Sequence, residues 1–481
     1  MSIPVSSIDT PEELGATLDQ PDAHVPETPS KGHPPALYLL FFTELWERFS
    51  YYGMRGILIL YLTKQLIEGG LAIDPKDAAL IYGYFTGFVY FTPLIGGWLA
   101  DRFLGQRMAI TIGGLTMMAG QFVLFGMNNQ TGMYLGLFLL ILGNGFFKPN
   151  ISTLVGRLYP ANDPRRDAAF SIFYMGINIG AFIAPLAVGY FSDNLFATKN
   201  AAGEVVSFGY RYGFLLSGLG MLLGQIIFNA FAPKYLGEIG KNPAGKGAVS
   251  SVDSGNLARP VTKEDKQRMT VIFILTAFVI FFWAGFEQAG SSLSLYTDKF
   301  IDRRVGRFLI PTSWFQSVNP LFIVALAPLF SIFWTSKLGR RLSTPVKMGM
   351  GMILLGVGFF FMLGAVAQRN GQGDPASEAN KAALLWLVMT YLLHTLGELC
   401  LSPVGLSVVT KLAHPKFASL MMGVWMLATF IANIVGGYLA AFIETMGAGT
   451  IFGSIAGFVI ALGLVMIALS KPIRKMMHGV N

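Results

Sequence analysis

Charged side chains interrupt several long apolar segments of the sequence, where they could bind protons, pair with one another or bind a charged solute. There are seven of them, namely Glu44, Glu47, Arg48, Arg55, Lys148, Glu287 and Glu398. A charge inside a membrane-spanning segment is costly and usually has a function. Because acids and bases are both present, the set could bind an anionic and a cationic group together.

Four of these charges lie in one segment, between Glu44 and Arg55. At 100° per residue, its charged and phenolic side chains fall within an arc of roughly 140°. The opposite flank is apolar, so the polar face must look into a cavity or towards partner charges. A purely structural ion-pair network is the alternative, but apolar packing would often stabilise a bundle equally well.

Polar residues one helical turn apart extend this pattern to other segments, because residues i and i+4 share a helix face. Such sets are Tyr174 with Asn178, Trp283 with Glu287, and His394 with Glu398 and Ser402, while Asn319 precedes a proline. A histidine such as His394 more often packs or forms hydrogen bonds than binds a ligand, and a proton-linked role is the alternative.

The elements that position these residues are predicted to be membrane-spanning helices. The chain is 53% hydrophobic and 13% charged, whereas a soluble domain has about 25% charged residues. About 20 apolar residues cross a bilayer, and in lipid they must be helical to satisfy their backbone hydrogen bonds. The twelve predicted spans are 37–63, 78–100, 108–127, 132–156, 168–192, 212–231, 270–290, 312–335, 348–367, 382–410, 417–443 and 450–470.

A repeated loop indicates two halves. The segments 97–107 and 333–341 follow the second and eighth spans, and each places basic residues around a glycine. Two repeated bundles with a site between them are typical of transporters. The predicted divisions are a disordered cytoplasmic tail at 1–36, six-helix bundles at 37–231 and 269–471, a cytoplasmic linker at 232–268 and a cytoplasmic tail at 472–481.

The distribution of Lys and Arg predicts the orientation. The tails and even-numbered loops hold 22 of the 35 basic residues, and the other loops hold 10. This positive-inside asymmetry places both termini in the cytoplasm, and we expect a multi-pass protein of a bacterial inner membrane. One predicted outer loop, 297–309, carries four basic residues and departs from the rule.

Several other classes of function are disfavoured. The single cysteine, Cys400, excludes an intramolecular disulfide and a multi-cysteine metal site. The segment 240–246 matches the start of a phosphate-binding loop, but Gly247 replaces its Ser or Thr and no strand precedes it. The histidines have no metal-ligand spacing, and no nucleophile–base pair can be assembled. We therefore expect no enzyme activity, no cofactor or metal, no nucleic acid and no obligate protein partner.

Three motifs resemble elements of a known transporter family. Glu44–Gly53 (ELWERFSYYG) is similar to its first-helix ExxERFxYY element, and Gly143–Asn150 (GNGFFKPN) and Phe173–Gly180 (FYMGINIG) are similar to its fourth- and fifth-helix signatures. From residue 36 onward, the chain resembles the proton-coupled oligopeptide transporters of the major facilitator superfamily. The loop after the second span also resembles the inner-loop motif of that superfamily.

Two features depart from the family. Many bacterial members insert two helices between the halves, whereas 232–268 is too polar and short for them. Animal members carry a proton-linked histidine about two turns before a tyrosine, and this chain has Gly83 seven residues before Tyr90. The second departure leaves carboxylates as the expected proton-binding groups.

The resemblance implies a proton-coupled symporter that imports di- and tripeptides by alternating access. The residues implied to bind the peptide carboxylate are Arg48, Arg55 and Lys148. Those implied to bind its amino terminus are Glu398, Asn178 and Asn319, with Ser402 on the face of Glu398. The remaining contacts, to the peptide backbone and side chains, are implied for Tyr52, Tyr90, Tyr174, Trp283 and Trp425.

The resemblance also implies a set of gating and proton-binding residues. They are Glu44, Glu47, Arg48, Arg55, Lys148, Glu287 and Glu398. The first two acids would exchange partners between Arg48 and Lys148, and Glu287 would pair with Arg55 across the halves, near the outer gate. Protonation would break such a pair, so that proton entry favours one of two conformations.

A dipeptide zwitterion matches this charge arrangement. Cations in one half and an acid in the other would bind its two ends and leave its side chains to adaptable pockets. Nitrate, amino acids or a peptide-like drug are alternative cargoes. Nitrate has no cationic group that the acid Glu398 could bind, so Glu398 argues against it. A membrane enzyme or a receptor-like sensor is the alternative from another class.

Overall fold

The computed structural model describes residues 32–160, 163–201, 203–243, 260–306, 308–369 and 380–479. Within helices and turns it does not describe the side chains of 402–407, 410, 415, 418 and 419. The side chain of Ser402 therefore lies outside the described residues, as do most of the predicted N-terminal tail and the centre of the predicted linker.

Long helices α1 to α12 make up most of the described chain, and each corresponds to one predicted span. They are α1 Pro35–Thr63, α2 Pro75–Leu104, α3 Gln106–Gly126, α4 Gln130–Arg157, α5 Arg165–Leu195, α6 Tyr210–Leu236, α7 Lys263–Phe300, α8 Thr312–Thr335, α9 Thr344–Arg369, α10 Leu384–Leu412, α11 Ala418–Ala441 and α12 Ala448–Ala468. Among the described residues, eleven helices are long and apolar enough to cross a membrane. The other, α1, has 29 residues and carries the four clustered charges. The predicted all-α membrane fold is confirmed.

Short elements complete the described chain. Two antiparallel hairpins pair Thr198–Lys199 (β1) with Val205–Ser207 (β2), and Arg304–Val305 (β3) with Phe308–Leu309 (β4). Helix α7 is interrupted by a 3-10 turn at Glu287–Gly290 and resumes at Ser292. The first turns of α8, Thr312–Ser317, are also 3-10. Short helices flank α12 at Ile443–Met446 and Ser470–Met476.

Helix α7 begins earlier than the sequence predicts, at Lys263 rather than 270. The side chain of Thr262 accepts a hydrogen bond from the Asp265 amide, and the Asp265 carboxylate accepts one from the Thr262 amide. Such a capping box starts a helix with polar residues. These residues lie outside the apolar run from which the span was predicted. Since α6 also extends to Leu236, helices enter the predicted linker from both sides.

Among the described residues, two large apolar cores define two bundles, and a small cluster of Ala79, Ala440 and Ala441 lies between them. One core contains side chains between Ala36 and Ile239, and the other contains side chains between Val271 and Met477. We refer to α1–α6 as the first bundle and α7–α12 as the second. We call the end of the molecule opposite to the start of α1 the distal end.

Glycines let α2 of the first bundle touch α11 of the second. A Cβ atom built on Gly83 would lie 2.7 Å from the Cα of Gly437 and 2.9 Å from the carbonyl oxygen of Asn433. No side chain fits there unless the backbones move apart. Small residues are the usual means of close helix contact in membranes.

Hydrogen bonds close the distal half of the interface between the bundles. They are Tyr84 Oη with Tyr438 Oη (2.9 Å), Trp314 Nε1 to Leu186 O (3.0 Å) and Ser317 Oγ to Phe182 O (2.7 Å). The hydrogen bond from Ser313 Oγ to the carbonyl oxygen of Pro185 (3.4 Å) and the ion pairs of Arg55 with Glu287 and of Lys64 with Asp298 also lie in this half. The bundles are therefore joined at the distal end.

We expect Gly83→Val to destabilise the protein, because its methyl groups would enter the backbone of α11. Overpacking of this kind costs about 1–3 kcal/mol. The matched control is Gly457→Val in α12, where a Cβ atom would have no neighbour within 4 Å. Thermal unfolding of both variants in detergent would measure the effect, and equal Tm changes would contradict the close contact.

Candidate functional site

A cavity of about 180 Å³ lies between the bundles. Its walls come from α1, α2 and α5 of the first bundle and from α7, α8 and α10 of the second. The residues singled out from the sequence that line it are Tyr52, Arg55, Tyr90, Tyr174, Asn178, Trp283, Glu287, Asn319, His394 and Glu398.

An ion pair crosses the cavity from one bundle to the other. Arg55 Nη2 of α1 contacts Glu287 Oε2 of α7, and both residues are 8% exposed. Glu287 begins the 3-10 turn that interrupts α7. The guanidinium also donates from Nε to the hydroxyl of Tyr82, at 2.7 Å. The charges of the two bundles thus neutralise each other at the cavity wall.

A second charge cluster lies inside the first bundle. Arg48 Nε is 3.0 Å from Glu44 Oε1 and also contacts Glu47 Oε2. Glu47 is fully buried, and its other oxygen accepts a hydrogen bond from Asn144 of α4 at 3.3 Å. The three charged residues are not among those that line the cavity. One cation therefore serves two buried acids beside the cavity.

Lys148 of α4 lies behind the cavity wall. Its ammonium nitrogen is 4.1 Å from the ring centroid of Tyr90, which itself lines the cavity. Such cation–π contacts are favourable, and more so when desolvated. Among the described side chains, no carboxylate lies within 4.0 Å of this nitrogen, so Lys148 is not paired with Glu44 or Glu47 in this structure.

Glu398 of α10 has a neutral environment. Asn319 of α8 donates a hydrogen bond to Glu398 Oε2 at 2.9 Å, and the same amide contacts Thr395 Oγ1 at 3.0 Å. The residue is 9% exposed and lines the cavity. No cationic side chain of the described residues lies within 4.0 Å of it. The carboxylate is thus oriented towards the cavity without a counter-charge.

Other residues singled out from the sequence have different environments. Asn178 donates to the carbonyl oxygen of Tyr174 in its own helix, at 2.9 Å. Trp425 is not among the cavity-lining residues and packs against the core of the second bundle. His394 is 2% exposed and reaches the cavity wall, with its ring 4.7 Å from that of Phe359.

Several residues near the site were missed by the sequence reasoning. Tyr391 and Gln316 line the cavity, and Tyr82 contacts Arg55 from outside it. Tyr391 lies seven residues before Glu398, on the same face of α10, and this spacing could have indicated it. Gln316 lies in the 3-10 turn of α8, where helical periodicity does not apply.

An ionic cluster at the distal end accounts for part of the unexpectedly basic loop. Asp298 of α7 lies 2.7 Å from Lys64, which follows α1, and 3.2 Å from Arg303. Thr312 Oγ1 donates to the same carboxylate at 2.8 Å, and Arg303 donates to the carbonyl oxygen of Ile310 at 2.6 Å. Arg303 therefore organises this loop, and Lys64 joins it to the first bundle.

Comparisons with known proteins identify relatives along almost the whole chain. The family model described as the POT family matches residues 107–243 and 245–455. The peptide transporter YePEPT of Yersinia enterocolitica is 34% identical, over 93% of this chain and 96% of that protein. A di-/tripeptide transporter of Lactococcus lactis is 32% identical, over 94% and 98%. A crystal structure of a variant of peptide transporter POT in complex with alafosfalin superposes with a TM-score of 0.83 at 35% identity, over 98% of this chain and 100% of that one.

We expect Arg48→Leu to destabilise the protein strongly, because it leaves two buried carboxylates without a cation. Removing one partner of a buried ion pair costs about 3–5 kcal/mol. Adding Glu44→Gln and Glu47→Gln should recover much of the lost Tm, since the cluster is then neutral. Arg211→Leu, at an exposed arginine, is the control. Failure of the triple variant to recover would contradict charge imbalance as the cause.

Proposed function

The chain belongs to the POT family of membrane transporters, so it is a transporter and not an enzyme, and we propose that it imports di- and tripeptides in symport with protons. Relatives named as peptide and di-/tripeptide transporters support the cargo. We further propose that the distal end faces the outside of a bacterial inner membrane, with both termini in the cytoplasm. Protons are the coupling ion, and the proposal includes no other cofactor and no obligate protein partner.

The charge distribution of the cavity is the observation that carries this proposal. Arg55 lines one side, in the first bundle, and Glu398 lines the other, in the second. A peptide zwitterion carries its carboxylate and its ammonium at opposite ends, so each end meets an opposite charge. Because only the two ends are fixed by charge, side chains of different shape can be carried.

The proposal also gives roles to the other residues singled out from the sequence. Lys148 strengthens the positive side, Arg48 joins it when Glu44 and Glu47 are protonated, and Asn178 and Asn319 add amide oxygens beside Glu398. The remaining groups, which contact the peptide backbone and side chains, are Tyr52, Tyr90, Tyr174 and Trp283, with Trp425 and Ser402 as further candidates.

Proton coupling acts through the ion pair between the bundles. A proton on Glu287 removes its charge and hence its attraction to Arg55, and the guanidinium is then available to the peptide carboxylate. The distal hydrogen bonds are individually weak, at about 0.5–1.5 kcal/mol each. Loss of this ion pair therefore weakens the contact between the bundles at that end, where the ion pair of Lys64 with Asp298 must also open before they separate. Glu44, Glu47 and Glu398 are further proton acceptors in this scheme.

We expect purified protein in liposomes to accumulate labelled dialanine when an inward proton gradient is applied, and not with a sodium gradient alone. Glu287→Gln should abolish accumulation and retain exchange of peptide across the membrane, because exchange does not require deprotonation of an empty carrier. Glu444→Gln, at an exposed carboxylate, is the matched control. Accumulation that persists after collapse of the pH gradient and membrane potential would refute proton coupling.

We expect Glu398→Gln to weaken dialanine binding by about tenfold, because a charged acceptor for the ammonium becomes neutral. N-acetyl-dialanine, which lacks the ammonium, should bind poorly to the parent. The variant should discriminate less between the two ligands. Competition of both ligands against labelled dialanine measures this, and an equal effect of acetylation on both proteins would show that Glu398 does not bind the amine.

A further inference from the structure

Tyr82 of α2 binds the arginine of the inter-bundle ion pair at an edge that Glu287 does not use. Its hydroxyl accepts a hydrogen bond from Arg55 Nε, whereas Nη2 contacts Glu287. Tyr82 is 2% exposed and is not among the residues that line the cavity. The phenol is therefore placed to orient the guanidinium rather than to touch a solute.

The same hydroxyl is in contact with the second bundle. A Cβ atom built on Gly290 would overlap Tyr82 Oη, and it would lie 3.2 Å from Arg55 Nη2. Gly290 ends the 3-10 turn that begins with Glu287. Only glycine fits between this turn and the phenol, so the position of Tyr82 depends on the absence of a side chain there.

The two partners of Arg55 differ in what happens when the bundles separate. Tyr82 and Arg55 both belong to the first bundle, whereas Glu287 and Gly290 belong to the second. Separation at the distal end breaks the contacts to the second bundle and leaves the hydrogen bond to Tyr82 intact. A free arginine has many rotamers, and ordering it costs conformational entropy. The phenol removes part of this cost before the ligand arrives.

We propose that Tyr82 is a positioning residue that keeps the Arg55 guanidinium directed into the cavity, so that it can pass from Glu287 to the carboxylate of the peptide. This inference rests on the proposed function, since it assigns Arg55 to the ligand's carboxylate. Tyr82 acts through Arg55 and does not contact the peptide. Gly290 provides the space that this arrangement requires.

The test compares dialanine with dialanine amide, which lacks the carboxylate, as competitors of labelled dialanine uptake into liposomes. Tyr82→Phe should weaken dialanine by about tenfold, as expected for loss of a hydrogen bond to a charged group, and should change the amide little. The preference for the free carboxylate then falls. Tyr61→Phe is the matched control, because it removes a buried hydroxyl that donates to Asn128 at 3.0 Å.

A second variant, Gly290→Ala, disturbs the contact between Tyr82 and Arg55 from the side of the second bundle. The methyl group of Gly290→Ala would displace the phenol from Arg55, so this variant should show the same loss of preference. Combined with Tyr82→Phe it should add little further loss, because both changes remove one interaction. Fully additive losses would overturn the inference.

The outcomes separate this inference from the proposed function. If the parent protein does not prefer dialanine over its amide, the proposal that the cationic side binds the peptide carboxylate is wrong. The role proposed for Tyr82 is then wrong as well. If the parent shows the preference and Tyr82→Phe weakens both ligands equally, only the inference is overturned, since a purely structural phenol would affect both.

Discussion

The ion pair between Arg55 and Glu287 divides opposite charges between two bundles that have separate apolar cores. Each bundle alone would expose an uncompensated charge inside the membrane, which is costly. The pair therefore favours the joined state while both groups are charged, and it ceases to do so when one is neutralised. The interruption of α7 at Glu287 and the glycine at 290 both serve this contact, since they bring the acid and its backbone against α1 and α2.

Most of the fold could be predicted because a membrane imposes simple rules on sequence. Long apolar runs must be helices, and every predicted span corresponds to a helix of the described chain. The ends of α6 and α7 could not be placed from hydropathy, because they are polar. Capping groups such as Thr262 and Asp265 start α7 outside its apolar run.

The site was predicted less completely, because periodicity shows which residues share a helix face but not which helices face each other. The unusual charges marked Arg55, Glu287 and Glu398 as candidates, and all three line one cavity. The partner Tyr82 carries no charge and belongs to no motif, so only the packing of α2 against α1 reveals it. Asn144 belongs to the fourth-helix motif, but its contact with Glu47 is shown only by the packing of α4 against α1. The contact of Lys64 with Asp298 joins the two halves of the chain. A count of the basic residues in each loop cannot reveal this pairing, because it shows only that the outer loops contain more of them than the positive-inside rule predicts.

The two acids that the second bundle places in the cavity have different surroundings, and this difference suits a transporter of zwitterions. Glu287 has a cation of the opposite bundle beside it, whereas Glu398 is held by the neutral amide of Asn319. A peptide whose ammonium binds Glu398 brings a carboxylate that needs the cation now held by Glu287. Neutralising Glu287 with a proton releases that cation without leaving a buried charge unpaired. Under the proposed function, binding of the peptide and uptake of the proton would each reduce the cost of the other, which is the thermodynamic requirement for coupling two solutes in one site.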